Sequence, residues 1–450
     1  MFFSKGKKEV AYVFFLFLFS KIFSYAALLI FANYFVPQEY GQASFVWSLF
    51  NMVLFFSCLG LPETLVAWIL KRKNVRTVFT FLLLVNLGAF VGALIIGMQY
   101  HWTLPLVILL PFMLVDATAR AVLKSQYRYH VSQLASNMFV MLLVVFAFVL
   151  KDLGKFGIVL AYGLAYFLPT IWLFFTVRKD IKEVMRPAPL DWKSIWEYVK
   201  KGSSTSLIAA CFAFLTWIDA SLLGSLSTFE SVAKYSVAGA LANVVAAVPM
   251  SLSHFTLSRS AEVHGEHKSL EVLQRTVRLS FFFSLLFGIV LNALSFMVTK
   301  IFFPQYVGIE IFIAILSSGL LWYAVYSLLA SFLMGRLRQE SAVVPIVAAT
   351  VTNVALDIIL IPLFGLYGIT VATAVAHAVA FVLLTKRVHV RRKFAMLVTS
   401  PILIFAAFYL QWYGLLMLPV AVTVCFWLRL VKKSDIAIVM QVVKGVLRRA

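Results

Sequence analysis

Stretches of about 20 consecutive, mostly apolar residues recur along this chain from end to end, and that is the length needed to cross the hydrocarbon core of a bilayer. Windowed hydropathy places about fourteen of them. The first six are residues 10–32, 43–68, 78–98, 104–123, 131–150 and 156–177. A second six follow at 204–224, 232–257, 277–298, 309–334, 342–361 and 368–385, with two more at 394–410 and 414–428. Composition agrees, since 62% of the 450 residues are hydrophobic and 13% charged. A soluble domain carries about 45–50% apolar and about 25% charged residues. A packed core cannot absorb so much apolar surface, but lipid can. The expected fold class is an all-α integral membrane protein. The first apolar run is of full spanning length and contains Lys21, so it reads as a retained helix rather than a cleaved signal peptide.

A net charge of +21 would suggest nucleic acid in a soluble protein. Its placement argues otherwise, because Lys and Arg sit in short clusters on every second loop. One side receives Lys5, Lys7 and Lys8, then Lys71, Arg72, Lys73 and Arg76, then Lys124 and Arg128. It also takes the long connection 178–201, residues 259–275, Arg336 and Arg338, residues 386–393 and the tail from Arg429. The other side shows little beyond Lys151, Lys155 and Lys300. This is the positive-inside pattern, which expects both termini in the cytoplasm. Membrane lipids are expected partners through their anionic headgroups; nucleic acid is not. Cys58, Cys211 and Cys425 all lie in apolar spans, and an odd number of buried thiols suggests no disulfide framework.

The connection 178–201 separates two sets of six spans. The expected organisation is an N-terminal lobe (1–180), a cytoplasmic amphipathic linker (181–202), a C-terminal lobe (203–386) and an extra helix pair with a tail (387–450). Within the linker Asp191 can cap a short helix. Trp192, Ile195, Trp196 and Val199 then fall at i, i+3, i+4 and i+7 with Lys193, Lys200 and Lys201 beside them. That pattern fits a helix lying on the inner membrane surface, the alternative being a solvated linker helix. An internal repeat supports the two sets. Leu153-Gly154-Lys155-Phe156-Gly157-Ile158 matches Phe364-Gly365-Leu366-Tyr367-Gly368-Ile369, Tyr127-Arg128 answers Leu337-Arg338, and Glu39-Tyr40 answers Lys234-Tyr235. Matched loops on the same side expect two parallel six-helix lobes.

The stretch Phe35-Val36-Pro37-Gln38-Glu39-Tyr40-Gly41 resembles the first external loop of polysaccharide flippases, the O-antigen and capsule exporters. So do Asp219 with Leu222-Leu223-Gly224, Tyr235-Ser236-Val237-Ala238, and the run from Asn353 to Ala372 with Asp357, Ile361-Pro362, Phe364-Gly365 and Gly368. These exporters belong to the multidrug/oligosaccharidyl-lipid/polysaccharide (MOP) exporter superfamily. The resemblance implies two lobes around a central cavity and alternating access by their rocking. The cargo would be an oligosaccharide linked through pyrophosphate to a polyprenyl lipid, moved from the inner to the outer leaflet for export of cell-surface polysaccharide. A polysaccharide polymerase or assembly proteins would be partners. The extra pair of spans also matches the lipid II flippases of peptidoglycan synthesis, but the several basic residues associated with their first spans are reduced here to Lys21. A cation-coupled multidrug exporter of the same fold would want a cavity dominated by carboxylates.

Charges inside spans cost about 2.5–3.5 kcal/mol on insertion scales, so each needs a purpose. Lys21 lies near the middle of the first span, beside Ser20 and Ser24; it either faces the cavity and meets the pyrophosphate or pairs with a neighbouring carboxylate. Asp219, beside Trp217, either binds a coupling proton or sodium ion or is that carboxylate. Asp116 and Arg120 are spaced i, i+4 and can pair with each other, or Arg120 can join Lys21 and Lys234 as a cationic contact for pyrophosphate. Asp357 and Glu63 are expected near the interfaces, Asp357 serving as a further coupling or charge-pair group. Pro62, Pro111, Pro169, Pro249 and Pro345 can kink spans. Asn33, Asn86 and Tyr323 are of the kind that would touch glycan. His264 and His267 lack companions at metal spacing, so no metal and no cofactor is expected. No large external loop or acidic cluster supports a membrane glycosyltransferase or polymerase, and the expectation is a transporter rather than an enzyme.

Overall fold

The computed structural model describes residues 2–57, 65–66, 68–69, 74–99, 101–126, 128–247, 249, 266–336, 338–390, 392–432 and 435. Cys58, Pro62, Glu63, Tyr127, His264, the side chain of His267 and Leu337 lie outside the described residues. The helices are α1 (Phe2–Tyr34), α2 (Pro37–Ser57), α3 (Val75–Gln99), α4 (Leu110–Ser125), α5 (Tyr129–Val149) and α6 (Gly154–Thr176). After a short helix at Arg178–Val184 come α7 (Trp192–Leu226), α8 (Phe229–Ala242), α9 (Glu266–Phe302), α10 (Glu310–Gly335), α11 (Glu340–Phe364) and α12 (Leu366–Arg387). The chain continues through α13 (Lys393–Tyr409), a 3-10 turn at Gln411–Leu416, and α14 (Met417–Trp427). Among the described residues, eight helices are long and apolar enough to cross a membrane. The protein is thus all-α and multi-spanning.

By packing, the chain divides into two compact units, Met1–Ser236 and Val237–Ala450. The boundary falls inside α8, and α7 packs on α2 within the first unit. In the first unit Leu65, Trp68, Val78, Phe79, Leu82, Leu114, Ala121 and Tyr198 form one buried cluster. Ala119, Leu123, Val131, Ala135, Leu173, Val177 and Ile181 form another, which draws the short helix Arg178–Val184 under α4–α6. In the second unit Gly319 brings α10 against α12 so closely that a Cβ there would lie 2.9 Å from Cα of Ala374. Trp322 donates from its indole nitrogen to Ser400 on α13 at 3.0 Å.

The amphipathic linker differs from its sequence expectation. Asp191 does cap a helix, accepting from the Lys193 amide at 3.1 Å, but that helix runs unbroken into the span as α7. Ile195 and Tyr198 are buried, whereas Trp192 and Trp196 are 66% and 70% exposed. The loop ahead is tied to the start of α3: Arg76 bonds the Glu183 carboxylate at 3.3 Å and Thr77 donates to the Pro189 carbonyl at 3.2 Å. A second correction concerns Pro111, which sits in the first turn of α4, where no helical hydrogen bond is lost. Pro169 and Pro345 do lie inside helices.

Both members of the glycine repeat adopt one backbone shape. Gly154 has φ 55°, ψ −143° and Gly365 has φ 54°, ψ −123°, each opening the second helix of a hairpin. A left-handed φ of this kind favours glycine. Three residues on, a Cβ at Gly157 would lie 2.0 Å from the Leu150 carbonyl oxygen, and one at Gly368 would lie 2.2 Å from that of Leu360. The first glycine makes the turn and the second lets two helices touch.

Candidate functional site

The most connected polar centre lies in the first unit, where α4, α5 and α6 meet. Asp116 and Arg120 share a face of α4, and Arg120 Nε donates to Asp116 Oδ2 at 2.7 Å. Its Nη1 reaches the Ser132 carbonyl at 3.0 Å, the Ser132 hydroxyl at 3.2 Å and the Ser136 hydroxyl at 3.0 Å, all on α5. From α6 the Tyr166 hydroxyl donates to the same Asp116 oxygen at 3.1 Å. A buried ion pair is tolerable only when further hydrogen bonds satisfy both partners, and this one has them. Arg120 therefore sits in an ion pair that joins three helices.

Asp219 is buried on α7, and the Tyr235 hydroxyl on α8 donates to its Oδ2. Lys234, next to that tyrosine, is ion-paired with Glu230 at 2.8 Å and stays partly exposed. Lys21 is half-buried on α1. Ser24 does not add a free polar group beside it, since its hydroxyl donates to the Ser20 carbonyl at 2.9 Å. Of the residues considered for glycan, Asn86 is fully buried and bonds the Leu110 carbonyl at 3.3 Å, fastening α3 to α4. Asn33 is exposed and bonds its own helix at Leu29.

In the second unit Asp357 is completely buried on α11, two turns before the end of that helix. Asn353, one turn earlier on α11, donates from Nδ2 to Asp357 Oδ2 at 3.2 Å, while its own Oδ1 has no hydrogen-bond partner among the described residues. A carboxylate and a carboxamide oxygen buried one turn apart offer acceptors where a cation or proton would be welcome. Further along, Tyr326 on α10 and His377 on α12 share a hydrogen bond of 3.0 Å, with the Tyr323 ring 5.3 Å from the imidazole. Among the described residues no three His, Cys, Asp or Glu side chains gather as a metal centre requires.

Sequence reasoning found Asp116 with Arg120 because i, i+4 spacing is local. It missed Tyr166, Ser132, Ser136, Tyr235, Tyr326 and His377. One signal was available: Tyr166 follows Gly157, and His377 follows Gly368, at the same interval, while Asp116 and Tyr326 precede Arg128 and Arg338 at equal intervals. The repeat thus marks both inter-helix contacts, which span 50 and 51 residues.

No model of a known protein family matches the sequence, and no curated protein does. Solved structures do share the fold. The chain is similar to the lipid II flippase MurJ in an inward closed conformation, with a TM-score of 0.72 at 16% identity over 92% of this chain and 97% of that one. It is also similar to an inward-facing multidrug resistance MATE family transporter of the MOP superfamily, at 0.59 and 14% identity over 84% and 96%. A MATE structure in the straight conformation gives 0.57 and 12% over 86% and 95%. At such identities the likeness is one of fold alone.

Proposed function

We propose that this protein is a flippase that carries a polyprenyl-pyrophosphate-linked saccharide from the inner to the outer leaflet by alternating access, with lipid II-type cargo as the first reading. The observation that carries this reading is the extent of the likeness to the lipid II flippase, 0.72 over 92% of the chain against 0.59 over 84% for the multidrug transporter. On this reading the fourteen helices are fourteen spans in a cytoplasmic membrane, both termini face the cytoplasm, and the chain catalyses no covalent chemistry. Lys21 makes the first contact with the pyrophosphate, and Arg120 and Lys234 extend the cationic path. Asp219 and Asp357 are the groups for a coupling proton or sodium ion. The saccharide crosses in a hydrated passage, spared the loss of its hydrogen bonds to water, while the polyprenyl tail stays in lipid.

A cell-surface oligosaccharide is the second reading. It is favoured by the stretches Phe35–Gly41 and Asn353–Ala372 and by Lys21 being the single cation of the first apolar run. Depletion in cells separates the two, with lipid-linked intermediates measured in each leaflet for wild type and Lys21→Gln. Lipid II held inside on depletion and in Lys21→Gln supports the first reading. O-antigen or capsule intermediates held inside support the second. If neither is trapped, the flippase reading fails and a multidrug exporter becomes the reading to test.

A further inference from the structure

Helix α9 carries a line of small and polar residues along one side. Ser280, Ser284, Gly288, Asn292, Ser295 and Thr299 recur every three or four residues, so they stack on one face of the helix. Those with polar side chains are all 0% exposed. At about 1.5 Å per residue the line runs for roughly 28 Å, close to the ~30 Å of a hydrocarbon core. It starts two residues beyond Arg278, whose guanidinium holds Asp435. At its other end the Thr299 hydroxyl donates to the buried Glu310 carboxylate, which also accepts from the Gly308 amide at 2.9 Å.

Serine and threonine in an apolar helix can donate the hydroxyl to a carbonyl one turn back. Ser318 on α10 and Ser400 on α13 do so, at 3.0 and 2.9 Å. Ser280 and Ser284 do not, and among the described residues neither hydroxyl has a hydrogen-bond partner. Nor has Asn292 Oδ1, although Asn292 Nδ2 donates to the Gly288 carbonyl at 2.8 Å. Ser317, two turns from Glu310 on the same face of α10, is another such hydroxyl and is also 0% exposed. Helices α9 and α10 pack together. Buried polar groups are nearly always met by protein or by ordered water, and unmet ones are costliest where lipid surrounds the protein. These side chains therefore call for bound water, each molecule of which takes two to four polar partners. Helix α3 holds the equivalent place in the first set and has no such line. Between Thr80 and Gln99 its one polar side chain is Asn86, whose amide donates to the Leu110 carbonyl.

We propose that this face of α9 is a proton path through the second unit, in which water held by Ser280, Ser284, Asn292 and Ser317 links the Asp435 end to Glu310. Each oxygen accepts one proton as it releases another, so charge crosses without any acid or base on α9 between Arg278 and Lys300. The path rests on the reading of the chain as a transporter and gives it a driving ion, by a route apart from Asp219 and Asp357. The test needs no cargo. Purified protein is reconstituted in vesicles enclosing a pH-sensitive dye, an inward proton gradient is imposed, and potassium with valinomycin clamps the voltage. The path predicts proton entry above that of empty vesicles, at least a fivefold fall in Thr299→Val and Asn292→Leu, and near-wild-type entry in Thr299→Ser, which keeps the hydroxyl. Ser284→Ala and Ser317→Ala guard against simple unfolding, because they delete hydroxyls that make no hydrogen bond within the described protein. Both should melt no lower than wild type in detergent and still slow proton entry at least twofold. Entry no greater than in empty vesicles, or equal in wild type and all these variants, overturns the path. Either result leaves the flippase reading to the leaflet measurement, and a failure there would leave the path standing.

Discussion

The two helix sets place an inter-helix polar contact at the same point of the repeat and fill it differently. In the first, Tyr166 on α6 meets Asp116 on α4; in the second, His377 on α12 meets Tyr326 on α10. The first contact is ionic and has recruited Arg120, Ser132 and Ser136 to balance it. The position equivalent to Arg120 in the second set is Ala330, and a neutral Tyr–His pair needs no such support. The second unit instead keeps an ionic cluster in the first third of α9, where Arg278 makes two bonds to the fully buried Asp435 at 2.9 and 3.0 Å and Arg275 a third at 3.2 Å. A duplicated frame therefore preserves where helices must be tied, while the chemistry of the tie is free to change once its desolvation is compensated.

Removing the balance should do the most damage. Arg120→Met leaves Asp116 buried without its counter-ion, a loss of about 3–5 kcal/mol. The melting temperature in detergent should collapse, and Asp116→Leu with Arg120→Met should restore most of it. A double variant as unstable as the single one would show that the charge itself is needed. Next in size is Tyr166→Phe, which removes a bond to a charged acceptor worth about 1.5–3 kcal/mol, whereas Tyr326→Phe removes a neutral one worth about 0.5–1.5 kcal/mol. Denaturation of the purified variants should rank them in that order, and equal losses would break the ionic-against-neutral distinction.

The hairpin glycines sharpen the same comparison. Gly154→Ala and Gly365→Ala both force a residue into a backbone region costing roughly 1–3 kcal/mol. A Cβ at Gly154 would also lie 2.7 Å from the Glu39 carboxylate, while one at Gly365 meets open space. Gly154→Ala should therefore melt lower, and Glu39→Ala in the same chain should close the gap. The smallest effect is confined to low pH. Burial pushes the Asp435 carboxyl up, but the bonds from Arg278, the Lys432 amide and Arg275 outweigh it and hold the group below the ordinary carboxylate value. A carboxyl lowered in the folded state stabilises above its unfolded pKa of about 3.9, and that contribution is lost as pH falls through the folded value. Wild type should exceed Asp435→Asn in melting temperature at pH 7, and the difference should shrink below about pH 4. A difference independent of pH would mean that Asp435 acts by shape alone.

Much of this was written locally. Gly154 and Gly365 were legible as turn residues and take one backbone shape, and Asp191 was legible as a cap. The Asp116–Arg120 pair could be seen because its members sit one turn apart. The burial of Asp357 could not be read from the sequence, because position along a span says nothing about which neighbour covers a residue. The Trp192–Val199 stripe shows that periodicity gives a face but not its partner: Ile195 turns to the protein core and Trp196 away from it.

The sequence by itself determined that the chain crosses a membrane many times, where its turns fall and which loops carry its positive charge. Those properties follow from the transfer energy of about 20 residues at a time and from the charges flanking them. Tertiary structure alone decided that Tyr166 completes the Asp116 pair, that Tyr326 and His377 take its place in the second set, and that α7 lies along α2. Apolar helices gain no hydrophobic energy by leaving lipid for one another, so their partners are chosen by shape and by a few hydrogen bonds. The Ser48 and Ser221 hydroxyls meet at 2.8 Å only because the helices that carry them are brought together.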